Sequence, residues 1–397
     1  MGTFSLAGRG LKLDSEEDAA LHLQPLWETE TPVTRLDVSG NTLGIGACSA
    51  LATAIRQQTR LEWINLADIF TGRLRQEIPP SLDSLLGAVL EVPVSFIDLS
   101  DNAFGLLGVA PLVRFLSSHA PLVHLHLHNN GLGPDAGSQI GQALVDLAEK
   151  KRKTLASPSL ETIICGRNRL ENGSMQNWAK AVASHPGLKC IKMVQNGIRP
   201  EGIYTLLAEG LTTLTNLEIL DLQDNTFSHR GAIALASALP SWPQIRELGV
   251  GDCLLSARGG LLLGQTLQQR KNAKLKILRL QYNEIAQDGL GSIVTAIEHS
   301  LEQLQLLELN GNKFEEDHQH VEKLRGIFSE RGIGELDELD DMEEASDASG
   351  ASDDDASNSV HEDLVRADEI CENSAVPQES DEIVDRLADA VGSIAVR

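Results

Sequence analysis

The stretch HLHLHNNGLGP, residues 124–134, places three histidines at alternate positions and then two adjacent asparagines. If the segment is extended, His124, His126 and His128 face one way, because the side chains of a strand alternate between its faces. Three imidazoles on one face are a conceivable metal site. No cysteine or acid cluster shares their register, so solvent-exposed histidines on a binding face are the simpler reading. Asp98 and Ser100 occupy matching positions one unit earlier. A Ser/His/Asp nucleophile needs a strained turn beside its base, however, and nothing marks one. GNTLGIG and GLGPDAG sit where a phosphate loop would, yet neither fits G-x-G-x-x-G, and no G-x-x-x-x-G-K-[ST] occurs. Chemistry on a substrate of the chain's own is the least supported reading. The asparagines are different, since an amide donates and accepts at once and can fix either backbone or another amide.

A repeat separates the two asparagines. LDVSGN ends at Asn41, INLADI at Ile69, IDLSDN at Asn102, LHLHNN at Asn130 and IICGRN at Asn168. IKMVQN ends at Asn196, LDLQDN at Asn225, LGVGDC at Cys253, LRLQYN at Asn283 and LELNGN at Asn312. Successive copies lie 28 to 38 residues apart, which is the L-x-L-x-x-N/C frame of leucine-rich repeats at the long end of its period. The L-x-L segment is a short strand with both leucines inward. The buried Asn or Cys ends it and satisfies turn backbone. A helix follows, as in GPDAGSQIGQALVDLAEKK, where Pro134 suits the first turn and Ile140, Leu144 and Leu147 recur at helical spacing. Each unit has one apolar face and must stack to bury it. The expected fold class is α/β, a ribonuclease-inhibitor-like horseshoe with an inner parallel sheet and outer helices. The expected domains are an N-terminal cap over 1–32, about ten repeats over 33–333, and an acidic, mostly disordered tail over 334–397. A weakly amphipathic segment, 382–394, could form a helix on a partner.

The column just before the ladder residue holds Gly40, Asp68, Asp101, Asn129, Arg167, Gln195, Asp224, Asp252, Tyr282 and Gly311. It should form a rim at the C-terminal ends of the strands, with less packing constraint than its neighbours, and such edges are where scaffolds carry function. Asn130 belongs to the structural column and Asn129 to the rim, where the repeat demands no asparagine. Two units are longer. One carries TGRLRQEIPPS, which puts Arg73 on the same rim; the other carries KKRKTLASPS on the opposite edge. KKRK at 150–153 could be a nuclear-import patch, but basic residues also suit a helix C-terminus.

Composition bounds the rest. Of 397 residues 42% are apolar but only 4% aromatic, so aliphatic side chains must fill the core. Five scattered cysteines without a C-x-x-C read as reduced thiols. From Glu335 onward 21 acids face 3 arginines, so the tail carries −18 of the net −24. No basic surface for nucleic acid is expected. No apolar run approaches the ~18–20 residues of a membrane span, and MGTFSLAGRG lacks the pattern of a secretory leader.

Several strings exceed what a generic repeat needs: DIFTGRLRQEIP, LSDNAFG, LHNNGLGP, IICGRNRLENGSM, KMVQNGIRPEGI, LDLQDNTF, DCLLSARG, LRLQYNEI and GELDELDDMEE. In these the chain resembles the GTPase-activating proteins of the small GTPase Ran, in their fungal form. The resemblance implies a cytoplasmic activator that supports directional nuclear transport. Ran-GTP is the implied partner, together with a Ran-binding protein. GTP and Mg²⁺ would belong to Ran, no cofactor would be the chain's own, and a monomer is expected. Arg73 looks like an arginine finger, but the resemblance gives it an essential docking or indirect role. It gives catalysis to Asn129, which would order Ran's own glutamine. Asp68, Asp101, Arg167, Arg169, Gln195, Asp224 and Asp252 are then expected Ran contacts. The competing reading is a non-catalytic solenoid that docks a partner on its concave face; an acidic chaperone rests on the tail alone.

Overall fold

The computed structural model describes residues 2–29 and 31–342. Twelve parallel strands form one sheet in strict chain order, from Gly2–Ser5 to Glu335–Leu336. Ten of them coincide with the ten expected L-x-L segments. Most are only three residues long: the strand holds the first inward residue of the L-x-L frame, and the second falls just beyond it, buried in the turn. In His124–His126 the central Leu125 is fully buried and its neighbours are half-buried. Register runs straight across the sheet: Phe96 pairs with His124, and His124 with Thr162. The strands are parallel because a helix returns the chain between them, as such pairing requires. Helix Gly133–Lys153 shows the pattern, with proline in its first turn, four basic residues in its last, and Ile140, Leu144 and Leu147 fully buried.

An amide ladder runs beneath the rim. The Asn130 Nδ2 donates to the carbonyls of Leu99 and Leu127, both at 3.0 Å, while its Oδ1 accepts from the Asn102 backbone N–H at 3.0 Å. The Asn130 N–H donates in turn to Asn168 Oδ1 at 2.9 Å. Asn41, Asn102, Asn168, Asn196, Asn225, Asn283 and Asn312 repeat this bonding in whole or part, and all are buried. Each ties two or three turns together and gives buried turn backbone hydrogen-bond partners, as buried polar groups need. Cys253 replaces the amide with Sγ, which reaches the Gly251 carbonyl at 3.3 Å. Ile69 offers no amide, and the inserted loop leaves the solenoid just beyond it.

A second ladder lies on the opposite edge. Gln58, His119, Trp242, Asn272 and Arg331 each donate from the side chain to a carbonyl at or just after the helix of the preceding unit. The last carbonyls of a helix lack partners within it, and these groups supply them.

One boundary changes. Glu335–Leu336 is the twelfth strand, pairing with Leu306–Glu308, so ordered structure continues past the boundary placed at 334. Asp337 accepts from the backbone of Leu309 and Asn310, and Leu339 is buried; acid-rich composition hid these contacts. The rest of the expected tail, with the 382–394 segment, lies outside the described residues. KKRK forms the last turn of helix Gly133–Lys153, as basic residues at a helix C-terminus would; within it Lys151 is 9% exposed, and its Nζ donates to the carbonyls of Ala120, Leu122 and Pro158. These three oxygens hold the ammonium against burial, which draws its pKa down to about 8. The cap over 1–32 holds two strands, Gly2–Ser5 and Lys12–Leu13, and a helix, Glu16–Glu28, begun by a Ser15–Asp18 capping box.

Candidate functional site

The rim column is not loosely constrained. Gly40, Asp68, Asp101, Asn129, Arg167, Gln195, Asp224, Asp252, Tyr282 and Gly311 all have φ between 50° and 70°. The chain must turn sharply off each strand, and every unit uses the left-handed conformation to do so. Glycine, asparagine and aspartate enter that region at least cost. An asparagine at 129 is therefore favoured by the backbone as well as free for function. Arg167 and Gln195 lack that excuse. Arg169 and Glu171 are also left-handed, at φ 53° and 50°, where the preceding unit has Gly131 and Gly133. Each such residue costs on the order of 1 kcal/mol, so the rim beside Asn129 holds charged side chains where glycine would be cheaper.

Asn129 is exposed, and its Nδ2 donates to Asp101 Oδ1 at 2.8 Å. A carboxylate only accepts, so this bond fixes which way the amide faces. The NH₂ is held by Asp101, and Oδ1 points away with no hydrogen-bond partner among the described residues.

Two clefts share Asn129 as a wall. One, of about 580 Å³, is lined by Arg167, Arg169, Glu171 and Gln195. The other, of about 540 Å³, is lined by Arg75, Ile78, Asp101 and Phe104 through Leu107. Arg167, Arg169 and Arg75 are exposed, and none makes an ion pair among the described residues. Asp68, Asp224 and Asp252 join neither cleft. Asp68 is half-buried and accepts from the Thr71 hydroxyl at 2.5 Å, which braces the inserted loop. Asp224 and Asp252 stand together further along, where burial and then the Asp252 carboxylate raise the Asp224 pKa. A larger cleft, about 830 Å³, lies at the C-terminal end around Phe328 and Leu336, with none of these residues.

Arg73 is not presented to a partner. Its side chain is 7% exposed, with Nη1 paired to Asp14 and Nη2 donating to the carbonyls of Leu13 at 3.2 Å and Thr42 at 3.0 Å. Gly44 lets it pack there, since a Cβ at 44 would stand 3.2 Å from Nη1. Arg73 fastens the inserted loop to the N-terminal cap, which favours the indirect role over docking. Arg75, two residues on, is the arginine that reaches the cleft. The sequence reading pointed to Arg73 alone and missed Arg75 in the same insertion, because spacing could not say which of the two arginines turned inward.

The histidines are held on the concave face. His126 Nδ1 lies 3.3 Å from Asp98, His124 Nδ1 lies 2.9 Å from Thr162 Oγ1, and Phe96 packs against both rings.

The family described as Leucine Rich repeat matches residues 213–236 and 271–294. Ran GTPase-activating protein 1 of Saccharomyces cerevisiae is 43% identical over 336 residues, covering 82% of each chain. The Ran GTPase-activating protein of Drosophila melanogaster is 32% identical, covering 80% of this chain and 56% of its own. A ribonuclease inhibitor of Sus scrofa is 24% identical over 67% of this chain and 56% of its own. With 43% identity over four-fifths of both sequences, and with the exposed Asn129 set among charged rim residues, the chain belongs to the Ran GTPase-activating protein family.

Proposed function

We propose that the chain accelerates GTP hydrolysis on Ran by fixing the partner's glutamine with Asn129, without an arginine finger. The observation that carries this is the Asn129–Asp101 bond, 2.8 Å long. With its NH₂ committed to Asp101, the amide offers Oδ1 to a donor on the partner, and a glutamine Nε2–H is such a donor. Held there, the glutamine turns its own Oε1 towards the attacking water. Freezing a glutamine side chain costs up to about 2 kcal/mol of rotamer entropy. Spending it on docking rather than in the barrier is worth roughly 30-fold. Further acceleration comes from the glutamine's hydrogen bonds to the water, which strengthen only as the reaction proceeds.

GTP and Mg²⁺ are Ran's in this scheme, and the chain contributes positioning alone. Arg167, Arg169 and Gln195 line the cleft of about 580 Å³ and serve as contacts, with Asp224 and Asp252 further along the rim. Arg73 acts through the loop it anchors. The setting is the cytoplasm, where Ran-GTP bound with a Ran-binding protein is discharged and transport is given its direction.

The test is GTP hydrolysis by Ran with and without substoichiometric chain. Stimulation over many turnovers per molecule of chain is expected. Stoichiometric binding without stimulation would replace this reading with that of a docking inhibitor.

A further inference from the structure

The inserted loop and the loop after Asn102 enclose the cleft on one side of Asn129. The unit that begins at Asn102 is built differently from the next. Its helix, Val109–Leu116, starts seven residues beyond the ladder asparagine, whereas Gly133–Lys153 starts three beyond Asn130. The unit gives up helix length to make room for a loop. That loop holds Leu106, 52% exposed, and Leu107, 62% exposed, over a buried floor of Phe104 and Ile78.

The leucines are held outward by a defined turn. Gly105, at φ 53°, donates its N–H to the Asn130 carbonyl at 3.0 Å, and Gly108 donates to the Phe104 carbonyl at 3.1 Å. A Cβ at Gly108 would stand 2.8 Å from the Phe104 Cβ, so the turn closes tightly on its own floor. The positions matching Leu106 and Leu107 after Asn130 are Pro134 and Asp135, already in the first turn of a helix, so repeat geometry does not require leucines that face water. Exposed Arg75 lines the same cleft.

We infer that this cleft seats an apolar side chain of Ran, with an acidic group beside it that pairs with Arg75. The inference rests on the function proposed above, because it takes the partner at Asn129 to be the partner in the cleft. Two features name the occupant. Asn129 and Asp101 form part of the cleft wall, so whatever meets Asn129 continues into it. The cleft also joins an apolar wall to an unpaired cation, which suits an apolar residue flanked by a carboxylate. Its role is grip and register: it makes the same contact before and during hydrolysis, so it governs affinity and leaves the chemical step alone.

The experiment uses the full chain carrying Leu106→Ser with Leu107→Ser, and separately Arg75→Glu. For each, kcat and KM for Ran-GTP, equilibrium binding to Ran loaded with a non-hydrolysable GTP analogue, sedimentation and the melting temperature are measured. Loss of two seated leucines raises KM and Kd by roughly ten- to a hundredfold, with kcat within about threefold of the parent. Arg75→Glu raises both in the same direction, and Leu106→Met with Leu107→Met restores them. Melting temperatures stay at the parent value, as suits exposed positions. Unchanged KM and Kd in the serine variant overturn the seat. So does a change confined to self-association, which would assign the cleft to a second copy of the chain. If the parent itself fails to stimulate hydrolysis, the underlying function fails; if only the variants behave like the parent, the seat alone does.

Discussion

Asn129 and Asn130 share a residue type and a turn, yet their surroundings give them opposite duties. Asn130 spends its amide on the ladder, bonding the carbonyls of Leu99, Leu127 and His128 and the Asn102 N–H. Asn130→Ala leaves buried groups unsatisfied at about 1–3 kcal/mol each, so a clear fall in melting temperature is expected. A melt identical to the parent would remove Asn130 from the ladder. Asn129→Ala loses one exposed bond and puts alanine at φ 54°, which costs about 1 kcal/mol, so its melt should fall only slightly, well short of Asn130→Ala. Its stimulated hydrolysis rate should drop by roughly 30-fold or more while Ran-GTP affinity changes little; matched losses in rate and affinity would argue for a plain contact. Asp101 extends the same logic. Asp101→Lys offers only donors, which turns the Asn129 carbonyl inward, so its kcat should approach that of Asn129→Ala. Asp101→Asn keeps an acceptor and should retain far more activity.

The inserted loop and the helix ends carry what the repeat pattern left out. Arg73 binds the loop to the cap through Asp14, Leu13 and Thr42. Arg73→Ala should therefore lower the melting temperature and raise KM together, whereas a true arginine finger would lose kcat with a normal melt. On the opposite edge, His119 Nε2 contacts the Val94 carbonyl at 2.7 Å and His185 Nε2 the Leu144 carbonyl at 2.8 Å. Burial pushes both pKa values from 6.5 to about 4. Between those values the unfolded chain binds more protons, so stability falls as pH drops from about 6.5 to about 4, by on the order of 3 kcal/mol per histidine. Thermal melts across this range check the slope, and His185→Gln should flatten it. The amide ladder was legible in the sequence because one residue type recurs at one spacing. The opposite ladder was not, because Gln58, His119, Trp242, Asn272 and Arg331 share only an ability to donate. The site divided likewise. Asn129 stood out against the period and Arg73 within the insertion, but which arginine faced inward depended on packing against Leu13 and Gly44, residues far away in sequence.

At the scale of the molecule, stability is a sum over units and their neighbours, so the ends matter most. At the C-terminal end Glu335–Leu336 covers the last full strand, Leu306–Glu308, while Asp337, Asp340 and Asp341 tie the following segment to Leu309 and Asn310. A chain stopped after residue 333 should melt lower and aggregate more readily than one stopped after residue 342, because it bares a sheet edge. Equal behaviour of the two truncations would show that the last strand contributes nothing.

The left-handed rim has a consequence for how such a surface can change its partner. Every unit contributes one outward letter at a fixed pitch of roughly 5 Å, and the core beneath does not read that letter. The backbone does. It admits glycine, asparagine and aspartate freely and charges a toll on the rest, so the inexpensive alphabet is small, polar and neutral or acidic. Arginines at 167 and 169 and glutamine at 195 are words outside that alphabet, clustered beside Asn129. Any descendant of this chain retuned to a different GTPase would be expected to rewrite those few letters first, leaving the ladder's grammar intact.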